Sequence, residues 1–559
     1  MDAQAAIGMG ATDTIGRLMA SVFRCGPLNP DFQTNLDVPN GGVLLGLPAL
    51  LTQGLLAHTR LFHLPMGYYR LDSLFLLLAF MALARVKTME ALRYVAPGEW
   101  GNILGLDRIP EVKTLRNKIK QLAKNGLEWG ARVCRDWLTM SPETTGIRYV
   151  DGHVRVYSGS KTELPRHYVA RQKLCLRATT DYWVNAMDGQ PFFMVNKAVD
   201  PGLLSVLEHA IVPRLEQEVP PPGRVDAHRF TLVFDREGYS PEFMARMRKK
   251  GIACLRYNKY PGEDWPTADF QPHRVDLASG QQVSMRLAER GTFLGRTLWV
   301  REVRKLTDTG DQTAIISTEI NRSMTNLAAS ICARWSQENF FKYMRQHYNI
   351  DRLIDYSLEE IPETTRVVNP QYRELDGEVR KLAARLARKR RAYDQLTLKG
   401  SIEPVKVEAY TAQKAELREE ITSMEKELSD LKACRKATPR QVTFADLTPE
   451  DRFKQLSMQG KHFLDTIKLI ADRAETAMAN IISPAMSRKD DARSLLRSLY
   501  ATEADILPDS SQGSLTIRLH QPANHCSAKT VVNLLQTLNS TETLFPGTDF
   551  RLVYEMVTS

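Results

Sequence analysis

Two acidic side chains stand where the sequence predicts the end of a buried strand. The segment from Arg148 to Tyr157 contains two short β patterns separated by Asp-Gly, and Asp151 closes the first of them. An apolar run from Phe230 to Phe234 precedes Asp235. A carboxylate at the end of a buried strand is held rigidly at a sheet edge, where acids from distant parts of a chain can meet.

A third acid is predicted on a helix. Arg334, Glu338, Lys342 and Arg345 are spaced so that they fall on one helix face, with the acid flanked by cations. Mg²⁺ takes oxygen ligands and binds through a few carboxylates together with substrate phosphate. A pair of such ions roughly 3.5 to 4 Å apart can activate an attacking oxygen and stabilise a leaving one. The three separated acids therefore favour metal-dependent phosphoryl transfer.

Each acid also has an ordinary structural interpretation. An Asp after a β run is often a turn former or a helix cap, and Glu338 can form an i,i+4 ion pair with Arg334 or Lys342. His153 is interpreted as a surface or packed strand residue. Further acids that could replace a member of the set are Asp181, Asp188, Asp200, Glu237, Glu319, Asp351 and Asp355. Asp351 and Asp355 are the main alternatives to Glu338.

The three segments resemble the catalytic blocks of DDE transposases of bacterial insertion sequences, which have an RNase H-like core. In one branch the third block reads Tyr-x2-Arg-x3-Glu-x6-Lys, and this chain keeps Arg334-x3-Glu338. Ile331 stands at the Tyr position and Arg345 at the Lys position, with Lys342 one turn earlier. The resemblance also covers the region before Asp151 and, more weakly, the tail.

The resemblance implies a catalytic and metal-binding triad of Asp151, Asp235 and Glu338, with Mg²⁺ or Mn²⁺ as the cofactor. It implies a transposase that binds the terminal inverted repeats of its element and target DNA, both double-stranded, and performs phosphodiester hydrolysis and strand transfer. Arg334, Lys342 and Arg345 would contact phosphate. A homodimer is expected because two ends must be held together. A metal-dependent nuclease without strand transfer and a non-catalytic, domesticated DNA-binding protein remain alternatives.

Composition agrees with a nucleic-acid partner inside a cell. The net charge is +10 and the pI is near 9.1, which suits a polyanionic partner. The seven cysteines are dispersed without a C-x-x-C pair, which argues against zinc and favours a reduced cytoplasm. No secretory signal is evident, and the longest apolar run, Leu74 to Ala84, is shorter than the ~18 residues of a membrane span. We therefore expect a cytoplasmic, nucleoid-associated bacterial protein without a membrane partner.

The predicted fold class is an α/β RNase H-like core with a β-rich insertion, an α-helical N-terminal domain, a long helical hairpin and a small α+β tail. A chain of 559 residues is long enough for several domains. The predicted divisions are an N-terminal helical domain over 1–145, the first part of the core over 146–257, the insertion over 258–312, the last core strand and the Glu-bearing helix over 313–366, the hairpin over 367–440 and the α+β region over 441–559.

Two basic helices are candidates for DNA contact. A helix from about Pro110 to Ala123 carries Lys113, Arg116 and Lys120, as a DNA-reading helix would, although a solvated amphipathic helix has the same pattern. The first arm of the predicted hairpin is strongly basic, which favours DNA binding, and its heptad spacing favours dimerisation as another use. The candidate residues of this arm are Arg385, Arg388, Lys389 and Arg390.

Overall fold

The computed structural model describes residues 18–20, 22, 26–65, 67–140, 146–169, 172–219, 221, 227–235, 238–278, 280–295, 298–352, 358–397, 407–486, 489–520 and 525–557. Within these ranges the protein is a mixed α/β structure built around a ten-stranded mixed sheet.

The strands, in chain order, are β1 Asn35–Val38, β2 Ile147–Val156, β3 Arg166–Val169, β4 Leu174–Asn185, β5 Pro191–Lys197, β6 Phe230–Phe234, β7 Ile252–Tyr257, β8 Gln271–Asp276, β9 Gln282–Leu294, β10 Leu298–Leu306, β11 Gln312–Ser317, β12 Leu358–Glu359, β13 Arg366–Val368, β14 Gln441–Thr443, β15 Gln455–Leu456, β16 Ala504–Asp509, β17 Ser514–Leu519 and β18 Arg551–Met556.

The helices are α1 Leu47–Thr52, α2 Leu71–Leu83, α3 Pro97–Ile103, α4 Val112–Leu122, α5 Gly126–Met140, α6 Leu203–Val206, α7 Val212–Glu218, α8 Pro241–Lys249, α9 Met324–Cys332, α10 Arg334–Tyr343, α11 Pro370–Thr397, α12 Val407–Ala437, α13 Gln459–Ile482, α14 Lys489–Ala501 and α15 His525–Asn539. A π-helical turn, Met344–Tyr348, continues α10.

The centre of the main sheet has the strand order β5-β4-β2-β6-β7. β2, β6 and β7 are parallel, whereas β4 is antiparallel to β2 and β5 is antiparallel to β4. All five residues of β6 are buried, as expected of a parallel strand covered on both faces. α8 follows β6 and begins as its sequence predicts, with the Ser240 hydroxyl accepting a hydrogen bond from the Phe243 N–H and proline at the next position.

The expectation that Asp151 closes a short strand is wrong. β2 is one ten-residue strand, and Asp151 lies in its middle. The strand continues because β4 runs beside it as far as the pair Val156 and Ala178. Gly152 fits here because a β-carbon at this position would lie 3.1 Å from the Tyr182 ring. The Asp-Gly pair therefore marks a close packing contact within a strand and not a break between two strands.

The segment predicted as an insertion continues the same sheet. β11 pairs with β7, and β10, β9 and β8 follow in antiparallel order to the sheet edge. β10 and β11 are paired over six residues. The sheet therefore has no interruption at the predicted boundary between 312 and 313.

α13 is the central helix of the core. It packs against α2, α5 and α14, and the Phe463 ring lies 5.5 Å from Phe75 and 5.7 Å from Trp129. Most of its polar side chains are buried, so they need partners. Lys461 pairs with Asp465. A short strand, β15, precedes α13, and α14 follows as a separate helix.

The N-terminal region is not purely helical. β1 is an edge strand of a four-stranded sheet with the order β1-β16-β17-β18. Its partner β16 lies more than 400 residues later in the sequence, and the Asp37 N–H donates to Asp505 at 3.1 Å. The N-terminal and C-terminal parts of the chain thus share a sheet as well as a hydrophobic core.

α11 and α12 pack against each other in opposite directions. Asp376 near the start of α11 pairs with Arg435 near the end of α12, and the Leu396 carbonyl accepts from the Tyr410 hydroxyl. The contact is apolar and uses heptad positions. The buried residues are Val379, Leu382, Leu386, Met424 and Leu428.

Candidate active site

Two of the three predicted acids lie side by side on neighbouring parallel strands. The register of β2 and β6 places Val150 opposite Phe234. Asp151 follows Val150, and Asp235 follows Phe234. Both are partly buried. The parallel pairing therefore brings two acids that are distant in sequence to one level of the sheet.

The helix that carries Glu338 is fixed to this part of the sheet by its neighbour Gln337. The Gln337 side chain is buried. Its amide donates to the Tyr149 carbonyl at 3.2 Å, the Trp183 carbonyl at 3.3 Å and the Asn185 side-chain oxygen at 2.9 Å. These bonds connect α10 to β2 and β4 beside Asp151.

Sequence reasoning missed Gln337, although a signal was present. Gln337 lies in an apolar stripe of α10 with Ala333, Phe340, Phe341 and Met344 at helical spacing, and all four are buried. An amide within such a stripe must find buried hydrogen-bond partners. That requirement could have indicated that it anchors the helix.

Arg334 is a basic residue that interacts with two of the three acids, Glu338 and Asp151. It pairs with Glu338 at 2.7 Å, so the i,i+4 ion pair considered from the sequence is present. Burial raises the pKa of Asp151 to about 6. The Arg334 charge and a hydrogen bond from the Gly152 N–H act against this shift, whereas the charges of Asp235 and Glu338 add to it. Electrostatically, the three acids and Arg334 form one cluster.

The three acids do not share a compact ligand sphere. Among the residues that the structure describes, the one group of three metal-ligating side chains with all ligand atoms within 4.8 Å is Asp37, Asp505 and His520. That group lies on the smaller sheet. His520 contacts Asp37 at 3.3 Å and Asp505 at 3.5 Å, as an ion pair would.

His153 connects the strand of Asp151 with the helix of Glu338. Its imidazole contacts Asp351, and its ring stacks on Phe341 with centroids 5.2 Å apart. The interpretation of His153 as a packed strand residue is thus incomplete, because it also holds a polar contact. Asp351, one of the two main alternatives to Glu338, thus already contacts this histidine.

Most other rival acids have structural partners. Asp181 is buried against Arg155, Asp200 accepts from the Tyr182 hydroxyl at 2.7 Å, and Glu319 accepts from Thr231 at 2.9 Å. Asp188 accepts hydrogen bonds from Gln190 within the turn between β4 and β5. Glu237 and Asp355 lie outside the described residues.

The basic residues of the predicted DNA-reading helix are on its outer face. Lys113, Arg116 and Lys120 are exposed, and Arg116 pairs with Glu90. The opposite face of α4 is buried in the core. Exposure on this face is compatible with both DNA contact and a solvated helix.

The cations beyond Glu338 differ in exposure. Lys342 is exposed, whereas Arg345 is partly buried and donates to the Phe341 carbonyl at 3.4 Å. α9 ends at Cys332, and α10 begins as a separate helix at Arg334.

The positive charge of α11 is partly neutralised by α12. Lys389 pairs with Glu420 and Arg390 with Glu425 at 2.6 Å. Arg385 and Arg388 are exposed. α11 therefore has fewer cations available to an anionic partner than its own sequence suggests.

The fold and this cluster define a class of protein: a mixed α/β chain with carboxylates at one level of parallel strands and a helix-borne acid beside them. The chain matches the family model Transposase_29, described as a transposase protein, over residues 8–558, and therefore belongs to this transposase family. Membership implies DNA transposition, with phosphoryl transfer on DNA as the chemistry. A comparison with curated proteins gave no match. No helix in the described ranges is both long and apolar enough to cross a membrane.

Proposed function

We propose that the protein is a DDE-type transposase in which Asp151, Asp235 and Glu338 are the catalytic carboxylates. The observation that carries this proposal is the parallel register of β2 and β6, which brings Asp151, within β2, and Asp235, directly after β6, to one level of the sheet, beside the Glu338 helix that Gln337 anchors. The reaction is hydrolysis of a phosphodiester at the element end, followed by attack of the freed 3′-hydroxyl on target DNA.

The topology of the sheet supports an RNase H-like core. In chain order the five central strands are β2, β4, β5, β6 and β7, and in space their order is third, second, first, fourth, fifth. The first, fourth and fifth are parallel, and the second is antiparallel to the first. We assign residues 146–257 to this core. We also propose the other domain boundaries predicted from the sequence.

The donor set suits a hard divalent cation. Three carboxylates supply oxygen ligands of the kind that Mg²⁺ and Mn²⁺ prefer. Burial and the two neighbouring acids raise the pKa of Asp151, so negative charge is crowded here in a way that a cation relieves. A divalent cation held by Asp151, Asp235 and Glu338 supplies Lewis-acid activation and charge neutralisation at the phosphodiester.

Arg334 has two partners in this proposal. In the structure its guanidinium pairs with Glu338. With Glu338 among the residues that would hold the cation, Arg334 would donate hydrogen bonds to a phosphate oxygen, a strong, charge-assisted contact. Lys342 and Arg345, further along the same chain segment, neutralise the adjoining DNA backbone.

The partner is double-stranded DNA, as terminal inverted repeats and as target. Lys113, Arg116 and Lys120 on α4 contact one part of this DNA, and Arg385 and Arg388 on α11 contact another. The active form is a homodimer because one catalytic cluster serves each element end.

The test is cleavage and joining of DNA that carries the segments flanking the gene, with Mg²⁺ or Mn²⁺. Wild type is compared with Asp235→Asn and Glu338→Gln, and Asp308→Asn is the matched control because Asp308 is exposed in the turn between β10 and β11. We expect both products with wild type and the control, and neither with the two variants, while DNA binding persists.

Other outcomes exclude parts of the proposal. Cleavage without joining identifies a nuclease. Full activity of Glu338→Gln moves the third ligand to Asp351 or Asp355. No cleavage by folded wild type with either metal leaves a DNA-binding protein.

A further inference from the structure

A cavity of about 510 Å³ lies between the N-terminal helices, the end of α10 and the central helix α13. Its floor is apolar and is formed by Leu78 and Met81 of α2 and by Leu464 and Ile467 of α13. Its size is that of a site for one small organic ligand. We call it the basic cavity because of the residues around the floor.

Cations outnumber acids in its lining, although Arg85 pairs with Glu475 and Lys468 pairs with Asp465, both outside the lining. The cationic lining residues are Arg85, Lys87, Arg116, Lys161, Arg352 and Lys468, and the one acid of the described lining is Glu90. Arg116 and Arg352 both contact Glu90. Lys87 and Lys161 are exposed, and neither has an acidic partner within 4.0 Å among the described residues. The rim therefore favours an anionic group.

The wall of the basic cavity includes the π-helical turn that follows α10. Interruptions of this kind in α-helices often occur at functional sites. The turn places His347 and Tyr348 in the lining. Burial, assisted by the charges of Arg497 and Arg85, lowers the pKa of His347 to about 4. Its imidazole is neutral at pH 7 and can both stack and form hydrogen bonds.

The basic cavity also adjoins the candidate active site along the chain. Arg352 follows Asp351, which contacts His153 on β2. Lys161 lies shortly after the end of β2, the strand that carries Asp151.

We propose that the basic cavity binds a single nucleotide, with the base against the apolar floor and the phosphate at Lys87 and Lys161. An unpaired nucleotide of bound DNA and a free nucleoside monophosphate share this chemistry. The DNA source rests on the proposed function. Single-stranded nucleotides are held on proteins by cations that contact the backbone and by rings on which the bases stack. In the basic cavity the rings of the lining are His347 and Tyr348, beside the apolar floor.

The test measures binding of the full chain in EDTA, so that no cleavage occurs. Two labelled duplexes are compared, one with a single bulged adenine and one with an abasic residue at the bulge, and dAMP is titrated separately. We expect wild type to bind the adenine duplex roughly tenfold more tightly, the size expected for one stacked base. Met81→Trp fills the cavity, and the double variant Lys87→Glu with Lys161→Glu reverses the rim charge.

Met81→Trp is expected to bring the ratio of the two affinities to within about twofold of unity, and the rim variant is expected to abolish dAMP binding. Lys249→Glu is the matched control, since Lys249 is exposed on α8 and outside the lining, and it should keep the ratio. If Met81→Trp fails to fold, dAMP binding by the rim variant decides, because both of its lysines are exposed.

Each outcome has one meaning. Equal binding of the two duplexes, together with dAMP binding that Met81→Trp abolishes, assigns the cavity to free nucleotides. Equal binding without dAMP binding overturns the proposal. Because the measurement needs no cleavage, base preference in a protein that never cuts DNA overturns the catalytic proposal alone. Cutting with neither base preference nor dAMP binding overturns the cavity proposal alone.

Discussion

The contact of Gln337 with the sheet offers the sharpest test of how Glu338 is positioned. Gln337→Leu keeps approximate size but removes a donor shared by two backbone carbonyls and the Asn185 side chain. The bond to Asn185 is the shortest, and its loss leaves a buried acceptor without this donor. About 1 kcal/mol for that bond, about 1 kcal/mol for the two longer bonds together and about 1 kcal/mol for the unpaired acceptor give about 3 kcal/mol.

The loss of this stabilisation should increase the local opening of α10. Since each 1.4 kcal/mol is a factor of ten, about 3 kcal/mol corresponds to roughly a hundredfold faster amide hydrogen exchange in peptides covering residues 334–343. DNA cleavage should fall with it because Glu338 is no longer held beside β2. Gln346→Leu is the matched control, as Gln346 is exposed in the following turn. Exchange within threefold of wild type in Gln337→Leu would refute the anchoring role.

Three further predictions concern other parts of the molecule. His153→Asn and Asp351→Asn should each slow cleavage, and the double variant should be no slower than either, since both remove one contact; additive losses would contradict this. Burial lowers the pKa of His462 from 6.5 to about 4 in the folded protein. Between these two pH values the unfolded chain therefore binds more protons than the folded chain. The free energy of unfolding consequently falls by up to about 3 kcal/mol as the pH drops from 6.5 to 4. Urea midpoints against pH should show this slope in wild type and a flatter one in His462→Gln. Replacing Arg385 and Arg388 by Ala should reduce the salt dependence of DNA binding by about two phosphate contacts, and an unchanged slope would exclude α11 from the interface.

The local parts of the candidate site were predictable because they depend on neighbouring residues. Asp235 follows its strand directly, and the Ser240 cap with the proline after it begins α8 where the sequence predicts. The apolar face of α4 is buried as its periodicity requires. Such features arise from chain geometry within a few residues, so no tertiary information is needed.

The position of Asp151 within a strand could not be read from local pattern. The Asp-Gly pair has the composition of a turn, but the hydrogen bonds of β4 extend β2 through it. The ion pairs of Lys389 and Arg390 could not be predicted from the local sequence either, because their acidic partners lie on another helix. The segments that meet in each case are far apart in sequence.

The sequence by itself determined the apolar face of α4, the strand-end placement of Asp235, the family resemblance and the three acids as candidates. The tertiary structure alone decided that Asp151 and Asp235 stand at one level, because this depends on the parallel register of β2 and β6. It also decided that Gln337 anchors the helix of Glu338, and that β1 joins β16 across most of the chain. These contacts pair groups whose separation in sequence leaves no local trace, and hydrogen-bond satisfaction in the folded core selects them.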